Sequence, residues 1–444
     1  MEEESIQVPA EAKPIEDVRS RWAWTEPSIW TSRMLETLES GVRGGRWYSL
    51  SDKAFSLRSL QSAFAKVKSR GGACGVDGVT IARFERNLDE ELDRLSKALL
   101  GGTYRPQAVR RVWIPKPGSH EKRALGIPTV RDRVVQAAIR HALEPIFEKE
   151  FCDSSYGFRP GRSCGKALKR VWQKVKKGNG YVVDADLKRF FDTIPHEKIM
   201  SGLEENVSDG TLLGVVKAFL KQGVMEWGVT HADESEEGTP QGSVISPLLA
   251  NIALHGMDRM LEEDGYELVR YADDFVILCL SRQEAESAME AIETWVSKSG
   301  LELHPEKTRI VEHLNGESFE FLGYKFLGHR VYPRRKSQKK FRDKVRELTP
   351  RTSGDSLTAI VSKLNPVLRG WYHYFRHSWP TVFTQEDAFV RRRLRSLMGR
   401  RIGKRRFAGG SDNNRWPNVF FIERGLFTMQ QAHASHQALS KANR

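Results

Sequence analysis

Apolar and polar positions along the chain follow two periods, and the change from one to the other divides it. Residues 56–66 carry helical spacing and run into GGACGVDGVT, a glycine-rich loop. Residues 109–115 alternate like a strand, and 129–147 return to the spacing of an amphipathic helix. YVVDAD, residues 181–186, reads as a short buried strand; Pro195 then opens a helix at its first position, with Asp192 or Thr193 as cap. A helix follows over 246–263. Residues 266–271 and 275–280 are β-rich apolar runs divided by Ala-Asp-Asp, a hairpin with acids at its tip. Residues 282–299 form a helix stopped by Gly300, and 319–331 alternate around glycines as a second hairpin. Beyond Arg334 only helical periods remain, over 338–348, 356–375 and 386–401. The middle is therefore α+β and the C-terminal part all-α. Ahead of both lies a polar extension to about Gly45 with a Trp-rich patch (Trp22, Trp24, Trp30) suited to docking elsewhere.

Charge sharpens this division. The 444 residues carry a net +14, but residues 331–444 alone hold 25 Lys and Arg against 7 Asp and Glu, leaving −4 for the rest. A basic quarter on a mildly acidic body suits a polyanion partner, or simply a solvated basic surface. None of the four cysteines (Cys74, Cys152, Cys164, Cys279) forms a C-x-x-C pair, which gives no support to zinc ribbons or a disulfide framework. With no apolar run of membrane-spanning length and an acidic N-terminus lacking an apolar core, the expectation is a cytoplasmic bacterial protein without membrane attachment, nucleoid-associated when acting on DNA.

The candidate chemistry sits in the acids. Asp273 and Asp274 interrupt two apolar runs, and buried carboxylates are costly without a compensating cation. Two Mg²⁺ ions about 4 Å apart would compensate, with Mn²⁺ as a substitute; nucleotidyl transfer uses such a pair. An ordinary Asp-Asp turn is the plain alternative. A second acidic strand weakens it: Asp184 and Asp186 share one face because side chains alternate. Asp186 at a strand end and Asp273–Asp274 at a hairpin can meet as neighbouring strands. Asp184 reads as a structural acid paired with a basic neighbour, and Asp192 as a cap.

Here the chain resembles a known family. D-x-x-x-x-F from Asp186 to Phe191 and the Y-A-D-D box resemble the two acidic motifs of reverse transcriptases. WIPKPGSHEKRALGIPTVRDRVVQAAI, SSYGFRPGRS, GTPQGSVISPLLANIALHGMD and FEFLGYKF are similar to successive motifs of the group II intron type. LNPVLRGWYHYFRHS and ERGLFTM resemble its maturase-specific region. The blocks run in the family's order from about Ser51 to Met429.

The resemblance implies a right-hand polymerase: fingers, a palm with an antiparallel sheet, and a helical thumb. Residues 1–50 would be an extension, 51–330 fingers and palm, 331–430 the thumb and maturase-like RNA-binding region, and 431–444 a tail. It implies that Asp186, Asp273 and Asp274 hold the metals. Lys116, Arg123 and Arg110 would grip the triphosphate of a dNTP, and Lys307 would lie near its pyrophosphate. Gln241 and Gly242 would contact its sugar and the template, and Phe191 would pack under the deoxyribose. Phe321, Leu322 and Gly323 match the primer-grip hairpin. The implied partners are template or intron RNA, a DNA primer and dNTPs.

The basic run Arg391, Arg392, Arg393, Arg395, Arg400, Arg401, Lys404, Arg405 and Arg406, near aromatics at Trp371 and Phe375, suits RNA. Trp371 and Phe375, four apart, also read as a core stripe, and His433 and His436 as tail. The chain stops at Arg444 without the paired cysteines of the DNA endonuclease that many relatives carry, so no DNA cleavage is expected. The expected role is an intron's RNA-directed DNA polymerase that also assists splicing and mobility. A free-standing relative in phage defence, CRISPR spacer acquisition or repair, and a splicing-only maturase, stay open beside it.

Overall fold

Strand β1 (Val109–Pro115) pairs antiparallel with β2 (Lys122–Ile127), as the alternation over 109–115 predicts. The computed structural model describes residues 18–42, 44–115, 122–226, 229–231, 236–403 and 410–442. β1 also pairs parallel with β4 (Val224–Glu226), which meets β5 (Val229–His231), so the first sheet runs β2-β1-β4-β5. The helix Val130–Glu150, which follows β2 in the chain, packs its fourteen buried residues chiefly against Leu57–Arg70 and the N-terminal segment. Trp30 docks there with no exposed surface, donating its indole N–H to the His141 carbonyl at 2.9 Å.

The central sheet is β6-β7-β3-β8, antiparallel throughout, from β3 (Tyr181–Asp186), β6 (Leu268–Tyr271), β7 (Asp274–Cys279) and β8 (Arg309–Glu312). Both faces are covered. Val183, Ala185, Phe275 and Ile277 enter one core with the helices Ser246–Glu263 and Arg282–Lys298. Val182, Val276, Leu278 and Val311 enter a second core with the helix Cys164–Lys176 and a small sheet. That sheet, expected as a hairpin over 319–331, is a three-stranded meander: β9 (Phe319–Phe321), β10 (Tyr324–Leu327) and β11 (Arg330–Pro333). Gly323 and Gly328, at φ of 82° and 53°, turn the chain twice where one turn was expected.

The remaining helices, Arg335–Leu348, Leu357–Phe375, Thr381–Arg401 and shorter ones, share a third core around Leu364, Phe383 and Leu394. The expected tail is part of this unit. Met429–Ala442 is a helix, with Met429 fully buried and the His433 ring 4.7 Å from that of Phe383. Asp387 caps it by accepting the N–H groups of Met429 and Gln430 at 3.1 and 3.0 Å. A second correction concerns Pro195, which is the N-cap of His196–Glu204. Asp192 and Thr193 instead belong to a separate turn of helix, Phe190–Thr193. Among the described residues no helix is long and apolar enough to cross a membrane.

Candidate active site

Register assembles the acids. β3 and β7 pair with Asp186 opposite Asp274 and Asp184 opposite Val276. Because side chains alternate, Asp184 and Asp186 share the face of Val182, and Asp274 the face of Val276 and Leu278. Three carboxylates thus leave the same face near one end of the sheet. Asp273 stands beside them in the two-residue turn between Tyr271 and Asp274, which pair across β6 and β7.

Their proximity shows in their titration. Burial, then the charges of Asp184, Asp186 and Asp273, pushes Asp274 up to about 7 against a backbone hydrogen bond from Leu322. Burial raises Asp184 to about 6, aided by Asp186 and Glu320 and opposed by Arg309. Asp273 is also raised, by burial and by Asp186, against the pull of Arg123 and Lys307. Lys307 forms an ion pair with Asp186. Arg309 lies opposite Asp184 in register, but its guanidinium donates to the Ser318 carbonyl at 3.2 Å.

Clustered carboxylates that raise one another are relieved by a cation, and carboxylate oxygens are the hard donors a divalent ion prefers. Among the described residues no three such side chains converge tightly enough to hold an ion as they stand. The fit therefore lies in the donor chemistry and the shared face, with Lys307 supplying the positive charge at Asp186.

The turn itself is held from beneath. Ala272 takes φ of 61°, a region usually left to glycine. Arg270 donates to the Ala272 carbonyl at 2.9 Å, to Asn251 Oδ1 at 3.0 Å and to Ser155 Oγ at 2.8 Å, and pairs with Asp258. Asn251 in turn donates to the Gly157 carbonyl at 2.8 Å. A Cβ on Gly157 would lie 2.3 Å from the Ala272 nitrogen, so only glycine lets this loop pass. The sequence carried one signal of this network: an arginine inside an apolar strand requires a buried partner.

The other expected nucleotide contacts divide. Phe191, Gln241 and Gly242 come together: Thr239 N–H donates to the Phe191 carbonyl at 2.8 Å, and Gln241 Nε2 to Asp192 Oδ1 at 3.3 Å. Gly242, at φ of 110°, packs so close to β2 that a Cβ would meet the Gly126 carbonyl at 2.5 Å. Arg123 is exposed on β2, within electrostatic reach of Asp273. Lys116 lies outside the described residues. The Arg110 guanidinium holds the glycine-rich loop by two bonds to the Cys74 carbonyl, at 3.1 and 2.7 Å. Phe321 is buried, while Leu322 and Gly323 turn back toward Asp274.

The thumb arginines divide between buried and exposed positions. Arg391 is buried one turn from Asp387. Arg395 is buried too, donating to the Trp416 carbonyl at 2.9 Å and to Asn418 Oδ1 at 2.8 Å. Arg393 ties the Thr349 carbonyl at 2.6 Å, and Arg401 the carbonyls of Ser353 and Asp355. Arg392, Arg400 and Arg401 are exposed, while Lys404, Arg405 and Arg406 lie outside the described residues. Trp371 stacks on Phe341 at 4.6 Å and packs on Phe375 at 4.9 Å, a core stripe as the spacing predicts.

Residues 114–326 match the family described as reverse transcriptase (RNA-dependent DNA polymerase), and residues 338–416 the group II intron, maturase-specific domain. Protein YkfC of Escherichia coli (strain K12) is 31% identical over 385 residues, covering 77% of this chain and 94% of that protein. Group II intron-encoded protein LtrA of Lactococcus lactis subsp. cremoris is 41% identical over 173 residues, 39% of this chain and 28% of LtrA. This chain thus spans less than a third of LtrA and nearly all of YkfC. A solved structure, a partial Cas6-RT-Cas1–Cas2 complex, overlaps 56% of this chain and 41% of that chain, at 25% identity and a TM-score of 0.36. The polymerase match ends inside the meander and the maturase match begins in the first thumb helix, the order the sequence motifs follow: the chain belongs to the group II intron reverse transcriptase/maturase family.

Proposed function

We propose that this chain extends a DNA primer on an RNA template as the polymerase of a group II intron, and binds that intron's RNA to assist splicing and mobility. The observation that carries the polymerase reading is the register pair Asp186–Asp274 beside Asp273, at one end of the sheet. Reverse transcriptases use divalent metal ions; here Asp186, Asp273 and Asp274 would hold Mg²⁺, or Mn²⁺ in its place. The metal would favour deprotonation of the primer 3′-hydroxyl and offset charge on the departing pyrophosphate. Around it Arg123 grips the triphosphate, Phe191 and the Gln241–Gly242 turn frame the sugar, and Leu322–Gly323 carry the primer. Lys307, ion-paired with Asp186, would exchange that partner for pyrophosphate. For RNA the exposed cations Arg392, Arg400 and Arg401 are candidate contacts on the helix Thr381–Arg401.

Primer extension on an RNA template tests this reading. It should require Mg²⁺ or Mn²⁺ and disappear when Asp273 and Asp274 are replaced by Ala, with RNA binding retained. Robust synthesis by that double variant would overturn the assignment of the acids.

A further inference from the structure

Residues 134–139 of the helix Val130–Glu150 are all buried, and Gln136 is the one polar side chain among them, with no exposed surface. Its Oε1 accepts the backbone N–H of Val244 at 2.9 Å, across 108 residues of chain. Its Nε2 is buried without a partner among the described residues. A buried amide that leaves a donor unpaired is costly, and a methionine would fill similar space without that cost. What a methionine could not do is hold Val244.

Val244 follows directly on the turn that carries Gln241 and Gly242. Ser243 N–H donates to the Pro240 carbonyl at 3.1 Å, and Gly242 supplies the positive φ, 110°, that such a turn takes at its third residue. Ser243, Ile245 and Ser246 are buried, whereas Gln241 is half-buried and Gly242 exposed, so the turn projects from a rooted base. On the entering side Thr239 N–H is tied to the Phe191 carbonyl. There Ser246 Oγ also donates to the Pro240 carbonyl at 3.0 Å, leaving the Thr239 hydroxyl to donate to Ser246 Oγ at 2.6 Å. At the tip, Gly126 N–H on β2 donates to the Gln241 carbonyl at 2.7 Å. On the leaving side the tie is Gln136, since Ile245, the N-cap of the helix Ser246–Glu263, makes no side-chain hydrogen bond.

We propose that Gln136 is a positioning residue for the nucleotide site: from the helix Val130–Glu150, its side-chain carbonyl holds Val244 and thereby sets how far Gln241 and Gly242 reach toward the incoming dNTP. This rests on the polymerase reading, in which that turn contacts the nucleotide. Gln136 itself, fully buried, acts only through the turn.

The test is steady-state primer extension by the full chain, with dNTP and primer–template varied separately, alongside melting curves. Gln136→Met removes the acceptor at similar volume. Its KM for dNTP should rise roughly tenfold, with kcat and the KM for primer–template within about threefold of the unaltered chain. Gln136→Glu is the conservative variant. Burial keeps its carboxyl protonated, so a carbonyl oxygen still meets Val244 N–H, and KM for dNTP should stay within about threefold. Ser96→Ala deletes another buried hydrogen bond, to the Phe55 carbonyl at 2.7 Å. It should lower Tm about as much as Gln136→Met, by roughly 2–4 °C, without moving KM for dNTP. An unchanged KM for dNTP in Gln136→Met, an equal rise in Gln136→Glu, or the same rise in Ser96→Ala would each overturn the proposal. So would a Gln136→Met chain that does not fold, which would make Gln136 a core residue alone. If the unaltered chain does not extend primers, the polymerase reading itself fails, an outcome distinct from all of these.

Discussion

Arg270 and Asp258 form an ion pair in which neither side chain has any solvent exposure, with Arg270 Nε on Asp258 Oδ1 at 2.7 Å. The same arginine holds Ala272 of the acidic turn. Arg270→Met should cost about 3–5 kcal/mol, because Asp258 is left buried and unpaired. The double replacement Arg270→Met, Asp258→Leu should recover much of that stability yet leave primer extension poor, since Ala272 still lacks its donor. Urea denaturation and extension assays on the same preparations separate the two effects; a single variant as stable as the original chain would refute the first.

Phe191 stands half-buried beside the turn that carries Gln241. If its ring abuts C2′ of the incoming nucleotide, Phe191→Val should relax exclusion of ribonucleotides by roughly ten- to a hundredfold. Single-nucleotide insertion with matched dNTP and rNTP reads this directly, and unchanged discrimination would leave Phe191 a packing residue.

His141 titrates far from the acids. Burial, helped by Arg140, Lys66 and Arg70 and opposed by Glu26, lowers it from 6.5 to about 4. A base depressed on folding contributes stability that is complete above its ordinary value and is lost as pH falls toward its folded one. The chain should therefore weaken between pH 6.5 and 4, by on the order of 2 kcal/mol. His141→Leu should flatten that limb in denaturation curves taken at pH 7 and pH 5; an unchanged slope would show that other groups set it.

Arg392→Gln with Arg400→Gln should weaken intron RNA binding, and lower its salt slope by about 2, without changing Tm. Arg395→Gln should do the reverse, lowering Tm through the lost bonds to Trp416 and Asn418 while the salt slope holds. Filter binding across a salt series, paired with melting curves, distinguishes them. RNA affinity that tracks Arg395 alone would reassign the surface.

Much of this was legible because the signals were periodic. The helix at 246–263 matches residue for residue, and alternation in YVVDAD carried Asp184 and Asp186 to one face. What misled was letting composition override period. Asp387, Arg391 and Arg395 step by four, a stripe that also passes Leu394; that spacing points inward, whereas the density of charge suggested an outward face. The Arg110 contact was not legible for the opposite reason, because its partner is a backbone carbonyl in a loop 36 residues earlier, which no pattern announces. The Arg270 network likewise joins Ser155, Asn251, Asp258 and Ala272, and only the folded sheet makes them neighbours.

An inner strand of the palm sheet, β3, finds both its partners later in the chain, β7 and β8. At about 5–20 residues per second on a ribosome, it waits roughly 5–19 seconds for the first and roughly 6–25 seconds for the second. Throughout that delay YVVDAD is an apolar segment with two unsatisfied edges, the kind that pairs with copies of itself. Asp184 and Asp186 punctuate it, and like charges stacked in register oppose such pairing. Asp186, proposed to hold metal, and its neighbour Asp184 would thus also serve as gatekeepers on the nascent chain, and neutral replacements at these positions should reduce the yield of soluble protein.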